Sequence, residues 1–346
     1  MRNVFYFKSI NSVGGCESFF WYLSKKYDFE VYYRVADPEQ IKRLSQNVEC
    51  HKYKKPIKCD KFFCCYGYDI NVDSPIKKHI IHCDYKQVKF KPIQYDGFEY
   101  IGVSQLACDS FKELTGKNAE LIYNPVFIDK PNVKKYNDGK LHLISATRLS
   151  PEKGLERMQK LASLLDKAGI DYEWVVYTNR IRKTIGRNVV YKQPSLDIIE
   201  EIAKADYLVQ LSDCESYCYS IVEALLTSVP VICTNLPVLK ELGVIHGKNA
   251  VICDMNMTNV DINMIKKKDF NFKYEPPIST WNKYLSTDKK YNPNDLIPIK
   301  VLRGYTDIEL GEHFIRNQDN INGKPIMMTK ARASYLESKG LVERCD

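Results

Sequence analysis

No apolar run in this chain approaches the roughly 18 residues needed to cross a bilayer, so a membrane-spanning helix is excluded at the outset. The first apolar stretch, Val4-Phe5-Tyr6-Phe7, ends at Lys8. It is too brief for the core of a secretion signal and reads as a first strand, which predicts a soluble protein that is not exported. Among the twelve cysteines there is no Cys-x-x-Cys pair, and His79 and His82 are interleaved with Ile80 and Ile81. No structural zinc site is therefore expected. Without an export signal a disulfide framework is not expected either, and adjacent Cys64-Cys65 on a strand points to buried, reduced thiols. Internal repeats and low-complexity tracts are also missing. Neither sign of charge dominates: 51 basic and 43 acidic side chains leave +8, spread along the chain. Such an excess permits an anionic partner, whether nucleotide, anionic lipid or nucleic acid, and selects none of them.

What is present is an ordinary globular composition, 44% hydrophobic and 27% charged over 346 residues. That length suits about two domains and a large core without staples. Short β-rich runs alternate with amphipathic helical stretches, the pattern of parallel α/β sheets. Strands are predicted at Val4–Phe7, Phe29–Arg34, Phe62–Tyr66, His79–His82, Tyr100–Val103 and Ala119–Ile122, with helices over Cys16–Lys26, Pro38–Leu44 and Ser104–Thr115. A polar stretch from Asn124 to Gly139 reads as a linker. A second series follows, with strands at Leu141–Ala146, Trp174–Thr178, Asn188–Tyr191, Tyr207–Leu211, Val231–Thr234 and Val251–Asp254. Its helices are Leu155–Lys167, Leu196–Lys204 and Ser220–Thr227, the first with Leu155, Met158, Leu161 and Leu165 at helical spacing. Beyond residue 255 the alternation weakens to one helical candidate, Thr280–Leu285. The expected domains are 1–128, 129–290 with a segment crossing back, and a small appendage, 291–346. The appendage holds a strand at Ile299–Leu302, turn signals at Gly311 and Asn322-Gly323, and a helix over Thr329–Lys339 capped by Gly340.

Four constellations sit where strands give way to helices, the ligand-binding end of open α/β sheets. Gly14-Gly15, before Glu17, lets backbone approach a ligand and turns a helix N-terminus toward an anion; it also suits a plain tight turn. Arg148-Leu149-Ser150-Pro151-Glu152-Lys153-Gly154 offers a planar fork and a point charge to a diphosphate, or simply flanks a helix start. In Glu215-Ser216-Tyr217-Cys218-Tyr219-Ser220-Ile221-Val222-Glu223, the first carboxylate falls in a loop and the second inside the following helix. One could meet a sugar and the other a ribose; a buried Glu223 needs a ligand or partner to offset its desolvation. His82 ends a strand, in either a structural or a catalytic role. The basic cluster Lys52-Tyr53-Lys54-Lys55-Pro56-Ile57-Lys58, with Lys61 beyond it, reads as a solvated loop or as a contact to acceptor or phosphate.

Taken together and in order, Gly14-Gly15-x-Glu17, Arg148 to Gly154, and Glu215-x7-Glu223 followed by Pro230-Val231 resemble GT-B glycosyltransferases of the GT4 type. Gly102-Val103-Ser104 and Leu121 to Pro125 add to the resemblance, which covers about residues 1 to 290. It implies an α/β fold of GT-B architecture, two Rossmann-like domains facing across a cleft, and retaining transfer from a nucleotide-diphosphate sugar to an unidentified acceptor without a metal or other cofactor. By the same resemblance, Arg148 and Lys153 neutralise the diphosphate, Glu223 holds the ribose, and Glu215 holds the donor sugar. Ser216, Tyr217, Cys218 and Tyr219 line that segment, Gly14 and Gly15 approach diphosphate or acceptor, and His82 contacts the sugar near the reacting carbon. The family's glycines after the first glutamate are Ser216 and Cys218 here, and the one before Pro-Val is Val229, preceded by Ser228. These side chains narrow the space beside sugar and phosphate.

The appendage resembles short C-terminal modules of bacteriophage proteins. That implies a phage-encoded enzyme working in the host cytoplasm, with the module as a tether; a small cap on the C-terminal domain is the alternative. Acceptors compatible with the sequence are a protein, a cell-envelope glycan or lipid precursor, and, as a lesser reading, modified DNA, since neither a helix-turn-helix nor an arginine stripe with aromatics is present. Phe19-Phe20-Trp21-Tyr22-Leu23, beside Lys25 and Lys26, would support at most peripheral membrane contact, or burial against a sheet. Competing functions are a nucleotide-sugar epimerase on the same fold and a non-catalytic sugar- or nucleotide-binding module of a phage structure.

Overall fold

The computed structural model describes residues 1–67, 69–88, 91–179, 181, 183–307, 312–321 and 323–345. Seven parallel strands form the first sheet: β1 (Asn3–Tyr6), β2 (Glu30–Tyr33), β3 (Glu49–Lys52), β4 (Lys61–Cys65), β5 (Ile76–Ile81), β6 (Glu99–Gly102) and β7 (Glu120–Leu121), in the order β7-β6-β5-β4-β1-β2-β3. The second sheet has six parallel strands: β8 (Leu141–Ala146), β9 (Tyr172–Tyr177), β10 (Val189–Lys192), β11 (Tyr207–Gln210), β12 (Val231–Thr234) and β13 (Ala250–Cys253), in the order β10-β9-β8-β11-β12-β13. Central strands such as Val4-Phe5-Tyr6 and Val231-Ile232-Cys233 are buried along their whole length. That is why they read as unbroken apolar runs, since helices cover both faces of a parallel sheet.

The helices are α1 (Gly15–Lys26), α2 (Pro38–Leu44), α3 (Gln105–Thr115), α4 (Leu155–Lys167), α5 (Ile198–Lys204), α6 (Tyr219–Leu226), α7 (Ile262–Lys267) and α8 (Lys330–Ser338). Their starts follow local chemistry. The Ser104 hydroxyl accepts the Ala107 N–H at 3.1 Å, and the Asp37 carboxylate accepts from Glu39 and Gln40 ahead of α2, with Pro38 in its first turn. On α4, Leu155, Met158, Leu161 and Leu165 all point into the core.

One strand was not expected and one expected helix is missing, each for an identifiable reason. Edge strand β3 reads Glu-Cys-His-Lys, too polar for an apolar-run criterion, yet it completes the sheet by backbone pairing with β2, with His51 stacked on Tyr32 and only Cys50 buried. Thr280–Leu285 supplies only a single tight turn, Trp281–Lys283, because Trp281 is drawn back among Phe5 and Phe63 of the first sheet and Phe19 of α1, at centroid distances of 5.8, 5.7 and 5.5 Å.

The appendage is a four-stranded antiparallel sheet of β14 (Leu296–Val301), β15 (Asn320–Ile321), β16 (Lys324–Thr329) and β17 (Val342–Arg344), with α8 closing its small core. Gly340 follows α8 with φ +69°; Gly311 and Asn322 lie outside the described residues. The appendage does not cap the C-terminal domain. It is fastened to the edge of the first sheet: Arg344 and Ser334 donate to the Cys50 carbonyl, Lys330 pairs with Glu49 at 2.9 Å, and the Tyr291 hydroxyl reaches the Ser45 carbonyl at 2.6 Å. An open strand edge invites pairing, and α8 covers this one.

A single apolar core runs from the first sheet through α1 and α6 to one face of the second. A separate core joins that sheet's other face to α4. All twelve cysteines are free thiols, and no helix among the described residues is long and apolar enough to cross a membrane. The apolar face of α1 is buried: Phe19, Phe20 and Leu23 are fully enclosed, and Trp21 is held between Arg43 and Lys25.

Candidate active site

Each parallel sheet reverses its winding once, and a crevice opens at the carboxyl ends of the two strands involved. In the second sheet these are β8 and β11. The segment leaving β8 runs through Arg148 into a tight turn, Pro151–Lys153, and then Gly154, whose φ is +81°. A Cβ at Gly154 would lie 1.8 Å from the Leu211 carbonyl oxygen, so only glycine lets this turn seat against the end of β11. Seated there, the Lys153 ammonium reaches the Glu215 carboxylate at 2.6 Å. Glu215 is fixed from the other side by the Ser212 hydroxyl at 2.8 Å and the Gln210 amide at 3.0 Å. Burial alone would lower the Lys153 pKa; the Glu215 charge outweighs it and holds the ammonium above its usual range. Arg148 projects outward, its side chain two-thirds exposed, and among the described residues its ion partner is Glu152 at 3.6 Å.

The run between the two glutamates closes onto the first sheet. The Ser216 hydroxyl accepts the Asp84 N–H at 2.6 Å, and the Tyr217 hydroxyl donates to the Asn124 carbonyl at 3.1 Å. Cys218 begins α6 with φ +65°, and Ser228 beyond the helix has φ +62°. The chain therefore keeps left-handed backbone at Cys218 and at Ser228, next to Val229, at a steric cost glycine would not incur. Tyr219 stacks on Tyr22 of α1 at 5.6 Å. Glu223, buried inside α6, accepts the Tyr22 hydroxyl at 2.8 Å. Burial raises its pKa, and the Tyr22 bond and the nearby Arg43 charge offset only part of that rise. The partner that a buried Glu223 required is thus a phenol from the opposite domain.

Across the crevice, Gly14 and Gly15 lead from β1 into α1. Gly15 is exposed with open space where a Cβ would stand, whereas a Cβ at Gly14 would meet the Glu17 carboxylate at 2.3 Å. Glu17 is buried and accepts the Asn11 N–H at 2.8 Å, pinning the turn from behind. His82 follows β5 directly, with Nε2 3.2 Å from the Cys65 thiol and its ring edge-on to Phe19 at 5.1 Å. Burial pushes its pKa down to about 3, so it is a neutral imidazole at ordinary pH.

The structure thus brings Lys153 and Glu215 into contact, joins Ser216 to the segment after His82, and sets α1, which carries Gly15, against α6, which carries Glu223. Arg148 touches none of them. Sequence reasoning assigned no role to Tyr22, Glu17 or Glu241, the last of which accepts the first N–H groups of α3, from Gln105 and Leu106, at 2.6 and 2.9 Å. Tyr22 sat within an apolar run, and no local signal separates a tyrosine that buries its ring from one that reaches a carboxylate 201 residues away.

Residues 127–263 match the family model described as glycosyl transferases group 1. No curated protein sequence matches the chain. Among solved structures, Alr3699/HepE of Anabaena, in complex with UDP and glucose, is similar at 15% identity and a TM-score of 0.59, over 77% of this chain and 89% of that one. A glycosyltransferase of Rickettsia africae is similar at 11% identity and a TM-score of 0.58, over 77% and 88%. WaaG, a glycosyltransferase involved in lipopolysaccharide biosynthesis, is similar at 12% identity and a TM-score of 0.54, also over 77% and 88%. The chain has the GT-B fold of two Rossmann-like domains, and the region matching the glycosyl transferases group 1 family holds Arg148, Lys153, Glu215 and Glu223.

Proposed function

We propose that this protein is a retaining glycosyltransferase that moves a sugar from a nucleotide-diphosphate sugar to an acceptor hydroxyl without a metal. The observation that carries the reading is the Lys153–Glu215 pair, 2.6 Å apart at the switch point of the second sheet and inside the matched region. There the Lys153 ammonium and the outward Arg148 guanidinium meet the diphosphate. Neutralising the charge that develops as the glycosyl–phosphate bond breaks is the main electrostatic task of such a reaction. Glu215, oriented by Ser212 and Gln210, accepts hydroxyl groups of the donor sugar. Glu223 exchanges its bond with Tyr22 for the ribose hydroxyls, and Ser216 to Tyr219 line the pocket between them. The acceptor oxygen bonds to the anomeric carbon on the face that the diphosphate leaves, and its proton goes to the departing phosphate oxygen. Gly14 and Gly15 admit diphosphate or acceptor at the turn that Glu17 holds, and neutral His82 serves as a hydrogen-bonding group near the reacting carbon, not as a proton carrier. Closure of the two domains over the donor would exclude water from the reaction.

The test incubates the purified chain with a panel of nucleotide sugars and follows free nucleotide and sugar products by mass spectrometry, beside Arg148→Ala and Glu223→Ala. UDP-glucose leads the panel because HepE was solved with it. Nucleotide release from one donor, lost in both variants, supports the reading; a sugar altered while still attached to its nucleotide would favour an epimerase, and a chain that binds no donor would end the proposal.

A further inference from the structure

The first sheet has a switch point of its own, where β1 lies between β2 and β4. The glycine turn follows β1; the residue that follows β4 is Tyr66, with φ +62°. Left-handed backbone is penalised in a bulky residue, and such strain persists where the surroundings hold it for a purpose. Tyr66 is 41% exposed at this crevice although an apolar core lies beside it. It is kept in place by Phe7 at 6.1 Å, by His82 at 6.2 Å, and by the Cys16 thiol of the first turn of α1, 3.6 Å from its hydroxyl. An exposed tyrosine backed by a stacked Phe7 is a platform on which a sugar ring can lie.

Two cations stand on the same rim. Lys8, two residues past β1, lies 3.1 Å from the Asp69 carboxylate, and Arg34, the first residue past β2, lies 3.7 Å from it. Arg34 also donates to the Asp69 carbonyl at 2.9 Å and spreads over the Tyr53 ring at 4.5 Å. Asp69 already accepts the Tyr6 hydroxyl at 2.5 Å. That bond, with Lys8 and Arg34 beside it, holds the carboxyl below its usual range. One carboxylate shared between two cations leaves positive charge over, and both side chains remain open to solvent, 61% and 39% exposed. The Arg34 fork is fixed in advance, so little freedom is lost when it meets a phosphate. The surplus is narrow, because Lys54 on the next loop is drawn toward Glu337 and Glu343 of the appendage, at 3.3 and 3.6 Å. It suits one phosphate and not the backbone of a duplex.

We propose that the carboxyl ends of β1, β2 and β4 form the acceptor site, and that it takes a phosphate-bearing sugar or polyol, with the ring on Tyr66 and the phosphate on Lys8 and Arg34. The word acceptor rests on the transferase reading above; the ligand chemistry does not. A polyol-phosphate polymer and a lipid-linked sugar phosphate both present this chemistry.

The test measures binding of glucose 6-phosphate and of methyl glucoside to the full chain by calorimetry, with UDP present to occupy the donor side. The phosphorylated sugar is expected to bind at least tenfold more tightly. Lys8→Ala combined with Arg34→Ala should abolish that preference, and Tyr66→Ala should weaken both sugars alike. Lys273→Ala, an exposed lysine paired with Glu275, should change neither and so rules out a general charge effect. Equal binding of the two sugars, binding of neither, or a preference that survives the double variant overturns the proposal. Displacement of glucose 6-phosphate by duplex DNA at lower concentration than by a glycerol-phosphate oligomer overturns it in favour of nucleic acid. Transfer to the oligomer or to a lipid-linked sugar phosphate then names the source. Donor consumption is measured on the same samples. Turnover without phosphate preference sinks this inference alone; preference without any donor binding sinks the transferase reading and leaves the phosphate site standing.

Discussion

Gly154→Ala is the most searching single substitution. Glycine there has φ +81° and ψ +31°, and its missing Cβ would stand 1.8 Å from the Leu211 carbonyl oxygen and 2.6 Å from its carbon. The left-handed conformation costs a residue with a Cβ about 1–2 kcal/mol. The contact adds more, because both atoms belong to backbone at the end of β11 and cannot rotate aside. Relieving it means parting the turn from the strand, at about 1–3 kcal/mol for such overpacking. It also strains the bond from Arg157 to the same carbonyl, 2.8 Å long. The sum is roughly 2–5 kcal/mol, or a fall in Tm of about 4–20 °C if a kcal/mol is worth 2–4 °C in a domain of this size. Gly169→Ala is the control: its φ is +63°, yet nothing lies within 4 Å of where its Cβ would be. It carries the conformational cost alone. Differential scanning calorimetry on the two variants separates the terms, and nucleotide release reports on the site, since Lys153 precedes Gly154 and must be carried away from Glu215. Gly154→Ala should lose both stability and turnover, and Gly169→Ala only the conformational cost of about 1–2 kcal/mol of stability. If Gly154→Ala lost no more than Gly169→Ala, the account of how this turn is seated would be wrong.

A double-mutant cycle of Lys153→Ala and Glu215→Ala should return a coupling of about 1–3 kcal/mol in thermal stability, as expected for a paired, mostly enclosed contact; additive losses would mean that the pair is incidental. Tyr22→Phe should destabilise the chain by about 1–3 kcal/mol, because a buried carboxylate loses its donor, while donor affinity, measured by calorimetry, holds or improves; a weaker donor would contradict the proposed exchange at Glu223. His79, fully enclosed, has its pKa pushed down to about 4 by burial. The unfolded chain binds that proton near 6.5, so the stability this neutral histidine contributes is present above 6.5 and is lost as pH falls through 4, at about 1.4 kcal/mol per pH unit. His79→Leu should flatten stability over that window in urea titrations, and an unchanged slope would refute the assignment. Ser228→Gly should stabilise by up to about 1 kcal/mol and Ser228→Val should destabilise by at least as much, if the left-handed turn there is strained; equal midpoints in both variants would say that it is not.

The sequence alone was enough for the parts that rest on local chemistry. Leu141–Ala146, Val231–Thr234, Leu155–Lys167 and Pro38–Leu44 have the observed boundaries, because their apolar spacing and caps are written in consecutive residues. The alternation of strand and helix, and the order of Gly14-Gly15, Arg148 to Gly154 and Glu215 to Glu223, carry enough pattern to read the GT-B fold. Edge strand β3 was illegible because a strand paired on one side needs no apolar run. The seat of the appendage was illegible because it depends on which sheet edge is open, a property of the assembled molecule. Nor could spacing reveal that Tyr22 satisfies Glu223, that Tyr66 is strained and exposed, or that Lys8 and Arg34 converge on Asp69. A pattern along the chain records which face of an element is apolar. It holds no information about which side chains, tens or hundreds of residues apart, the packing of two sheets will bring within 3 Å of each other.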